Sequence, residues 1–187
     1  MKNALYLLTW VILAAALIGC STLNKNQCLQ ANWYELGWRD GSLGKPRSLF
    51  QEHADACGKH NVLAEKTEYF RGRDDSLKNF CTYDNGFSQG RYGKSYNYVC
   101  PADLEASFLA GFSEGRKVYK YNRTVVALEK KMKTIDDEIQ EKETLLYSSK
   151  VNEEQRDILR SEIRKLDIKY RDTVRDLNEL RKINPLS

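Results

Sequence analysis

The sequence predicts an all-α protein: a small, disulfide-stapled helical domain followed by a long coiled-coil helical hairpin. Three observations carry that expectation. An aromatic residue followed by small residues three and seven positions later recurs between Tyr34 and Gly115. Cys28, Cys57, Cys81 and Cys100 all precede residue 101. Beyond them, apolar residues recur at steps of three and four in a charge-dense stretch with no glycine after Gly115. Such steps mark one face of a helix.

The chain of 187 residues opens on a segment of different character. Lys2 supplies a positive end, Ala4 to Ile18 is almost wholly apolar, and Leu17-Ile18-Gly19 leads into Cys20. The apolar run is about fifteen residues, short of the roughly twenty that cross a bilayer, and it ends on a cysteine rather than an A-x-A-like site. The segment resembles a lipobox. That resemblance implies removal of residues 1–19 as a lipoprotein signal peptide and attachment of diacylglycerol and a further acyl chain at Cys20. Two or more acyl chains hold a protein on a membrane stably. Ser21 follows, where inner-membrane lipoproteins tend to carry Asp, so the expected location is the bacterial cell envelope, on an outer-membrane lipid anchor facing the periplasm. A plain cleaved signal or an uncleaved anchor helix is the alternative. Residues 20–24 would form the lipidated N-terminus and tether.

Removing the signal leaves about 168 residues, enough for one compact domain and an extension. The net charge of +4 is nearly balanced and no block of like charge stands out, which argues against a nucleic-acid partner. Of the five cysteines, Cys20 is assigned to lipid. The even remainder reads as two disulfides in an oxidising compartment, with three connectivities open. The sequential pairs Cys28–Cys57 and Cys81–Cys100 are expected, because each encloses a glycine-bearing stretch.

Residues 25–120 form the Gly-, Tyr- and Cys-rich domain. Its repeat runs Tyr34, Gly37, Gly41, Gly44; then Tyr69, Gly72, Ser76, Asn79; then Tyr83, Gly86, Gly90, Gly93; then Phe108, Gly111, Gly115, Val118. Glycine within a helix costs up to about 1 kcal/mol relative to Ala, so several on one face need a compensating close approach of another backbone. Helix packing is therefore the expected role, with a ligand groove or glycine-rich turns around Gly90–Gly93 as alternatives. A phosphate-binding glycine loop is disfavoured, since no strand precedes any copy.

These motifs, with His53…Cys57, Phe80-Cys81, Tyr98-Val-Cys-Pro101 and Gly115-Arg116, resemble a family of short, uncharacterised proteobacterial lipoproteins defined by a domain of unknown function. The resemblance covers about residues 25–120 and departs at Ser76, where a glycine is usual, and in the long charged extension. It implies an envelope lipoprotein and supplies no activity.

In the extension, residues 121–183, Val125, Leu128, Met132, Ile135 and Ile139 form one apolar seam. Leu159, Ile163, Leu166, Tyr170, Thr173, Leu177 and Leu180 form a second. These are a/d positions of a coiled coil. The first seam falters at Lys142 and resumes at Leu146; Asn152, followed by Glu153, Glu154 and Gln155, reads as the N-cap of the second helix. An antiparallel hairpin is expected, against one long helix that dimerises with another chain. Pro185 closes the second helix, leaving a tail at 184–187.

Candidate chemistry is sparse. His53, Cys57 and His60 have helical spacing compatible with zinc or copper, but Gly58 stands before His60 and an oxidised Cys57 is a poor ligand. His53 and His60 are thus weak metal candidates, and no cofactor is expected. Asp40, Asp75 and Glu114 sit at or next to one place in the repeat, where pairing with the nearby Arg39, Arg73 and Arg116 is expected rather than catalysis. Trp33, Trp38 and the tyrosines between Tyr83 and Tyr98 could stack on sugar rings. The expected function is a non-enzymatic structural or protein-interaction lipoprotein, with a protein partner or self-association through 121–183. A periplasmic glycan- or lipid-binding module is the alternative, and a metal-dependent hydrolase using Asp40, His53 and His60 comes after it.

Overall fold

The computed structural model of the protein describes residues 22–185; the expected signal peptide and Cys20 lie outside them. The described residues form helices α1 (Lys25–Leu29), α2 (Trp33–Ser42), α3 (Leu49–Gly58), α4 (Lys66–Phe80), α5 (Tyr83–Arg91), α6 (Ala102–Leu146) and α7 (Glu153–Lys182), with no strand among them. Four helices start where the side chain of Asn24, Asn32, Thr82 or Asn152 accepts a hydrogen bond from the backbone N–H three residues on. Each cap satisfies a donor that the first turn leaves unpaired. Asn24 and Asn152 complete reciprocal capping boxes with Gln27 and Gln155. Among the described residues, no helix is long and apolar enough to cross a membrane.

The chain divides into two compact units. One runs through Cys81 and takes in Tyr96–Glu105; the other takes Thr82–Ser95 and everything from Ala106 on. The sequence places a boundary near residue 120 instead. The difference arises because α6 carries the fourth aromatic–glycine copy and the first arm of the hairpin in one unbroken helix.

In the first unit, α2 packs on α4 through the first two copies of the repeat. A Cβ at Gly37 would run into the Tyr69 carbonyl oxygen, and one at Gly72 into the Tyr34 carbonyl oxygen. The backbones therefore touch reciprocally, which only glycine allows. Ser76 replaces the usual glycine and is fully buried; it fits because its hydroxyl folds back and donates to the Arg73 carbonyl at 2.8 Å. The core beside this pair consists of Leu23, Trp33, Leu36, Ala56 and Tyr69, with Phe50 and Phe70 packed against it. Disulfides join Cys28 to Cys57 and Cys81 to Cys100. The first ties α1 to the end of α3; the second ties the end of α4 to the 96–101 segment.

In the second unit, α5 packs on the start of α6 through the third and fourth copies in the same way. Added Cβ atoms at Gly86 and Gly111 would meet the carbonyl oxygens of Phe108 and Tyr83. The last glycines of the first and third copies are turn residues, not helix-face residues. Gly44 (φ +61°) and Gly93 (φ +69°) end α2 and α5 in the left-handed conformation, beneath the rings of Phe80 and Tyr119. Lys45 and Lys94 follow, each donating its N–H back five residues, to Asp40 and Gln89.

Beyond the fourth copy, α6 and α7 form an antiparallel hairpin within one chain, bridged by Lys142–Glu162 at 2.7 Å and Glu129–Arg181 at 3.2 Å. Ile135, Leu166, Thr173 and Leu177 are buried along it, and the other seam residues are half-buried. Lys142 occupies the seam position between Ile139 and Leu146. Its ammonium reaches across to Glu162, so the faltering heptad is an ion pair inserted in the seam, not a break in the helix.

Candidate functional site

Two of the residues that sequence reading singles out for chemistry, Asp40 and His53, meet in the first unit, in an arrangement that fastens residue 22 to the core. Asp40 projects from α2, His53 from α3 and Tyr69 from α4, and all three are buried. One Asp40 carboxylate oxygen, Oδ2, lies 2.9 Å from His53 Nε2 and accepts the Tyr69 hydroxyl at 2.9 Å. The other imidazole nitrogen, Nδ1, lies 2.9 Å from the Thr22 hydroxyl. The result is a chain Thr22–His53–Asp40–Tyr69 that links residue 22 to three helices.

The electrostatics follow from burial and partners. For Asp40, burial opposes ionisation, but hydrogen bonds from His53 and Tyr69 and the charges of His53 and Arg39 outweigh it, so its pKa is lowered. For Tyr69, burial first, then the hydrogen bond to Asp40 and its charge, push the hydroxyl well above its usual range. The stable pairing is an ionised carboxylate held by a neutral phenol and an imidazole.

The expectation that the repeat's acids pair with Arg39, Arg73 and Arg116 is overturned. Asp40 takes His53 and Tyr69. Asp75 pairs with Lys78 at 2.9 Å and accepts the Tyr34 hydroxyl, and Glu114 pairs with Lys117 at 2.8 Å. The reason is helix geometry: lysines at i+3 lie beside the acids, whereas Arg73 turns inward and donates Nη2 to the Lys45 carbonyl at 2.7 Å. His53 and His60 are not brought together with Cys57 as ligands. His53 is committed to Asp40 and Thr22, Cys57 to its disulfide, and α3 ends at Gly58 before His60. Among the described residues no group of three or more His, Cys, Asp and Glu side chains could hold a metal ion. Trp33 belongs to the buried core, which removes it from any sugar-stacking face; Trp38 and Tyr92 are exposed.

Of the partners, Thr22 carries no signal in the sequence, and Tyr69 is marked there only as a helix-packing aromatic of the repeat. They lie 31 and 16 positions from His53, and only the fold brings them to it.

Comparison with known proteins bears on the repeats. Residues 32–117 match the family model for a protein of unknown function (DUF2799). The match begins at Asn32, the cap of α2, and ends two residues past Gly115, so it spans the first three copies, the fourth through Gly115, and three of the four disulfide cysteines. Cys28 and the hairpin lie outside it. No curated protein and no solved structure matches the chain.

Proposed function

We propose that the chain is a lipid-anchored bacterial envelope protein with a structural or protein-interaction role and no catalytic activity of its own. The observation that carries this reading is the fastening of residues 22–24. Thr22 bonds His53, Leu23 is 5% exposed in the core, and Asn24 caps α1. An extended chain spans at most about 3.5 Å per residue, so the three-residue step from Leu23 to Cys20 can reach no further than roughly 10 Å. A lipid on Cys20 would therefore hold the first unit directly at a membrane surface rather than on a loose leash. The polar network at His53 serves that fastening: its carboxylate and phenol are buried and satisfied by one another.

In this reading the hairpin is the interaction surface. Its seam is closed within one chain, which leaves the outer faces, with exposed Val126, Ile158 and Ile168, for a protein partner. Replacing Cys20 by Ser should release the protein from the membrane fraction; membrane retention of the processed variant would remove the anchor from the account. Light scattering of the soluble Cys20→Ser chain without residues 1–19 should give a monomer. A dimer would shift the role to self-association through 121–183.

A second reading, a glycan- or lipid-binding module, draws support from one groove in the second unit. It encloses about 540 Å³ and is lined by Tyr92, Tyr119, Arg91, Arg123, Val126 and Lys130 among others, with no carboxylate in its wall. Pull-down of the Cys20→Ser chain by peptidoglycan or lipopolysaccharide, lost on Tyr92→Ala with Arg123→Ala, would favour this reading.

A further inference from the structure

Among the described residues of the first unit, Arg73 is the buried side chain that keeps a polar atom without a hydrogen-bond partner. It is 1% exposed. One arm of its guanidinium donates to the Lys45 carbonyl; the other, Nη1, is buried and has no hydrogen-bond partner. Among the described residues no carboxylate lies within ion-pair distance of it. Asp40 is held by His53 and Tyr69, and Asp75 by Lys78 and Tyr34. Buried guanidinium groups are ordinarily spent on carboxylates or several acceptors, because an uncompensated buried charge is costly.

The second unit supplies an internal control. Aligning the two glycine-faced pairs places Phe112 where the first unit has Arg73, four residues after the buried rings of Phe108 and Tyr69. Phe112 packs there by stacking on Phe108. The architecture therefore does not require a cation at this place; a phenyl ring suffices.

Arg73 lines a cleft of about 580 Å³ that lies wholly within the first unit. Arg47, Lys78 and the 97–101 segment line it as well. That segment is held at several points. Cys100 is bonded to Cys81, Asn97 Nδ2 donates to the Gly44 carbonyl at 2.9 Å, and the Tyr96 hydroxyl accepts the Cys100 N–H and donates to Glu105. Between them Tyr98 sits at φ +52°, a backbone conformation that L residues rarely adopt, with its ring 82% exposed.

We infer that this cleft binds the phosphate ester of a small polyol, with Arg73 as the buried charge at its floor and Arg47 and Lys78 as exposed donors at its rim. Two guanidinium groups and an ammonium match a tetrahedral oxyanion, since Arg presents paired donors to phosphate and Lys a point charge. The volume exceeds what a bare phosphate fills. Asp74 and Asp103, also in the wall, would repel a second anionic group and accept hydroxyls instead. The ester could arrive as a soluble metabolite or as a phospholipid headgroup; both present the same chemistry. The inference does not depend on the lipid anchor.

The test uses the Cys20→Ser chain without residues 1–19. Calorimetric titration with glycerol 3-phosphate, and co-sedimentation with phosphatidylglycerol against phosphatidylcholine vesicles, separate the two sources. Saturable binding of the free ester identifies a solute site. Binding to phosphatidylglycerol vesicles alone identifies a headgroup site. In either case Arg47→Ala, which also removes the guanidinium stacked 4.0 Å over Phe70, should weaken binding at least tenfold while the variant keeps its helical circular dichroism. Arg73→Phe, which copies the second unit, should fold and abolish binding. Should the Arg73 variant fail to fold, Arg47→Ala and Lys78→Ala, both at exposed positions, still read the site. The inference is overturned if neither probe binds saturably, or if binding survives Arg47→Ala and Lys78→Ala unchanged. It is also overturned if Arg73→Phe folds and retains full affinity, in which case a trapped water satisfies Nη1.

Discussion

The two units contain the same device built twice and finished differently. In each, an aromatic and two small residues at i+3 and i+7 let a pair of helices touch backbone to backbone, and a left-handed glycine under an aromatic ring ends the first helix. The first unit adds two disulfides and a buried polar network, with Asp40, Tyr69 and Arg73 in the pair. The second has Gln89, Phe108 and Phe112 at those places, contains none of the four paired cysteines, and runs on into the hairpin. The shared part is what the backbone contact demands; the unshared part is what each unit can vary. A buried carboxylate, phenol and guanidinium are not required by the packing. Their presence in one copy alone is therefore the best pointer to what that copy does beyond folding.

The largest difference between the units should appear on reduction. Both disulfides lie in the first unit, closing loops of 29 and 19 residues in sequence separation. Loop-entropy arguments give each about 3 to 4 kcal/mol. Hydrogen exchange after reduction should show loss of protection in α1–α4 with little change in α5 and the early turns of α6. Equal loss in both would make the two units one cooperative body and break the comparison.

The shared device should fail equally in both. Gly37→Ala and Gly86→Ala each place a methyl on a main-chain oxygen, of Tyr69 and of Phe108, that cannot move without shifting a helix. Overpacking of this kind costs about 3 kcal/mol. Matched urea midpoints for the two variants are expected. A much smaller loss for Gly86→Ala would mean that the second pair is the looser copy.

Tyr69→Phe converts one element of the first unit to its counterpart in the second. It removes a buried hydrogen bond to Asp40 and should cost about 1 kcal/mol at neutral pH. Its sharper signature is the pH dependence. The folded pKa of Tyr69 is raised above 10.0, so its contribution is fully present below that pH and is lost as pH rises beyond it. The alkaline decline of the urea midpoint should be shallower in Tyr69→Phe. Asp40 has the opposite sign: its folded pKa is below 3.8, so its contribution is present above that value and lost as pH falls through the lowered one. The variant, lacking one of the bonds that lower it, should also lose less on acidification. Parallel alkaline limbs for the two proteins would exclude Tyr69 as the titrating group.

Much of this was legible in the sequence, and the part that was not has a physical reason. Helical class, the glycine faces, the hairpin and the Asn152 cap are periodic or local features, readable within a few residues. The pairing of first copy with second, and of third with fourth, is not local, because every copy offers much the same face to every other. The last glycine of the repeat was misplaced on the helix face because the spacing of ten also suits a helix; Phe80 and Tyr119, one residue further along the partner helices, are what require a turn there. The acids were expected to meet arginines because charge alone does not say which neighbour turns inward. Asp40 meets a histidine and a tyrosine from two other helices, contacts that no spacing announces.

The smallest effect tests the hairpin, the part the first unit lacks altogether. Lys142 fills a seam position between Ile139 and Leu146, and its bond to Glu162 raises its own pKa and lowers that of its partner. Both side chains remain open to solvent, so the pair contributes little to stability, and its alignment sets register instead. Lys142→Leu would complete the apolar seam and should raise the melting temperature slightly. A continuous apolar stripe should also admit a second chain, so the variant should show a larger dimer fraction by light scattering than the parent. If the variant stays monomeric and melts lower, the ion pair is a stabilising contact in its own right, and the hairpin's single-chain closure rests on its loop and the buried Ile135, Leu166, Thr173 and Leu177 rather than on a polar break in the seam.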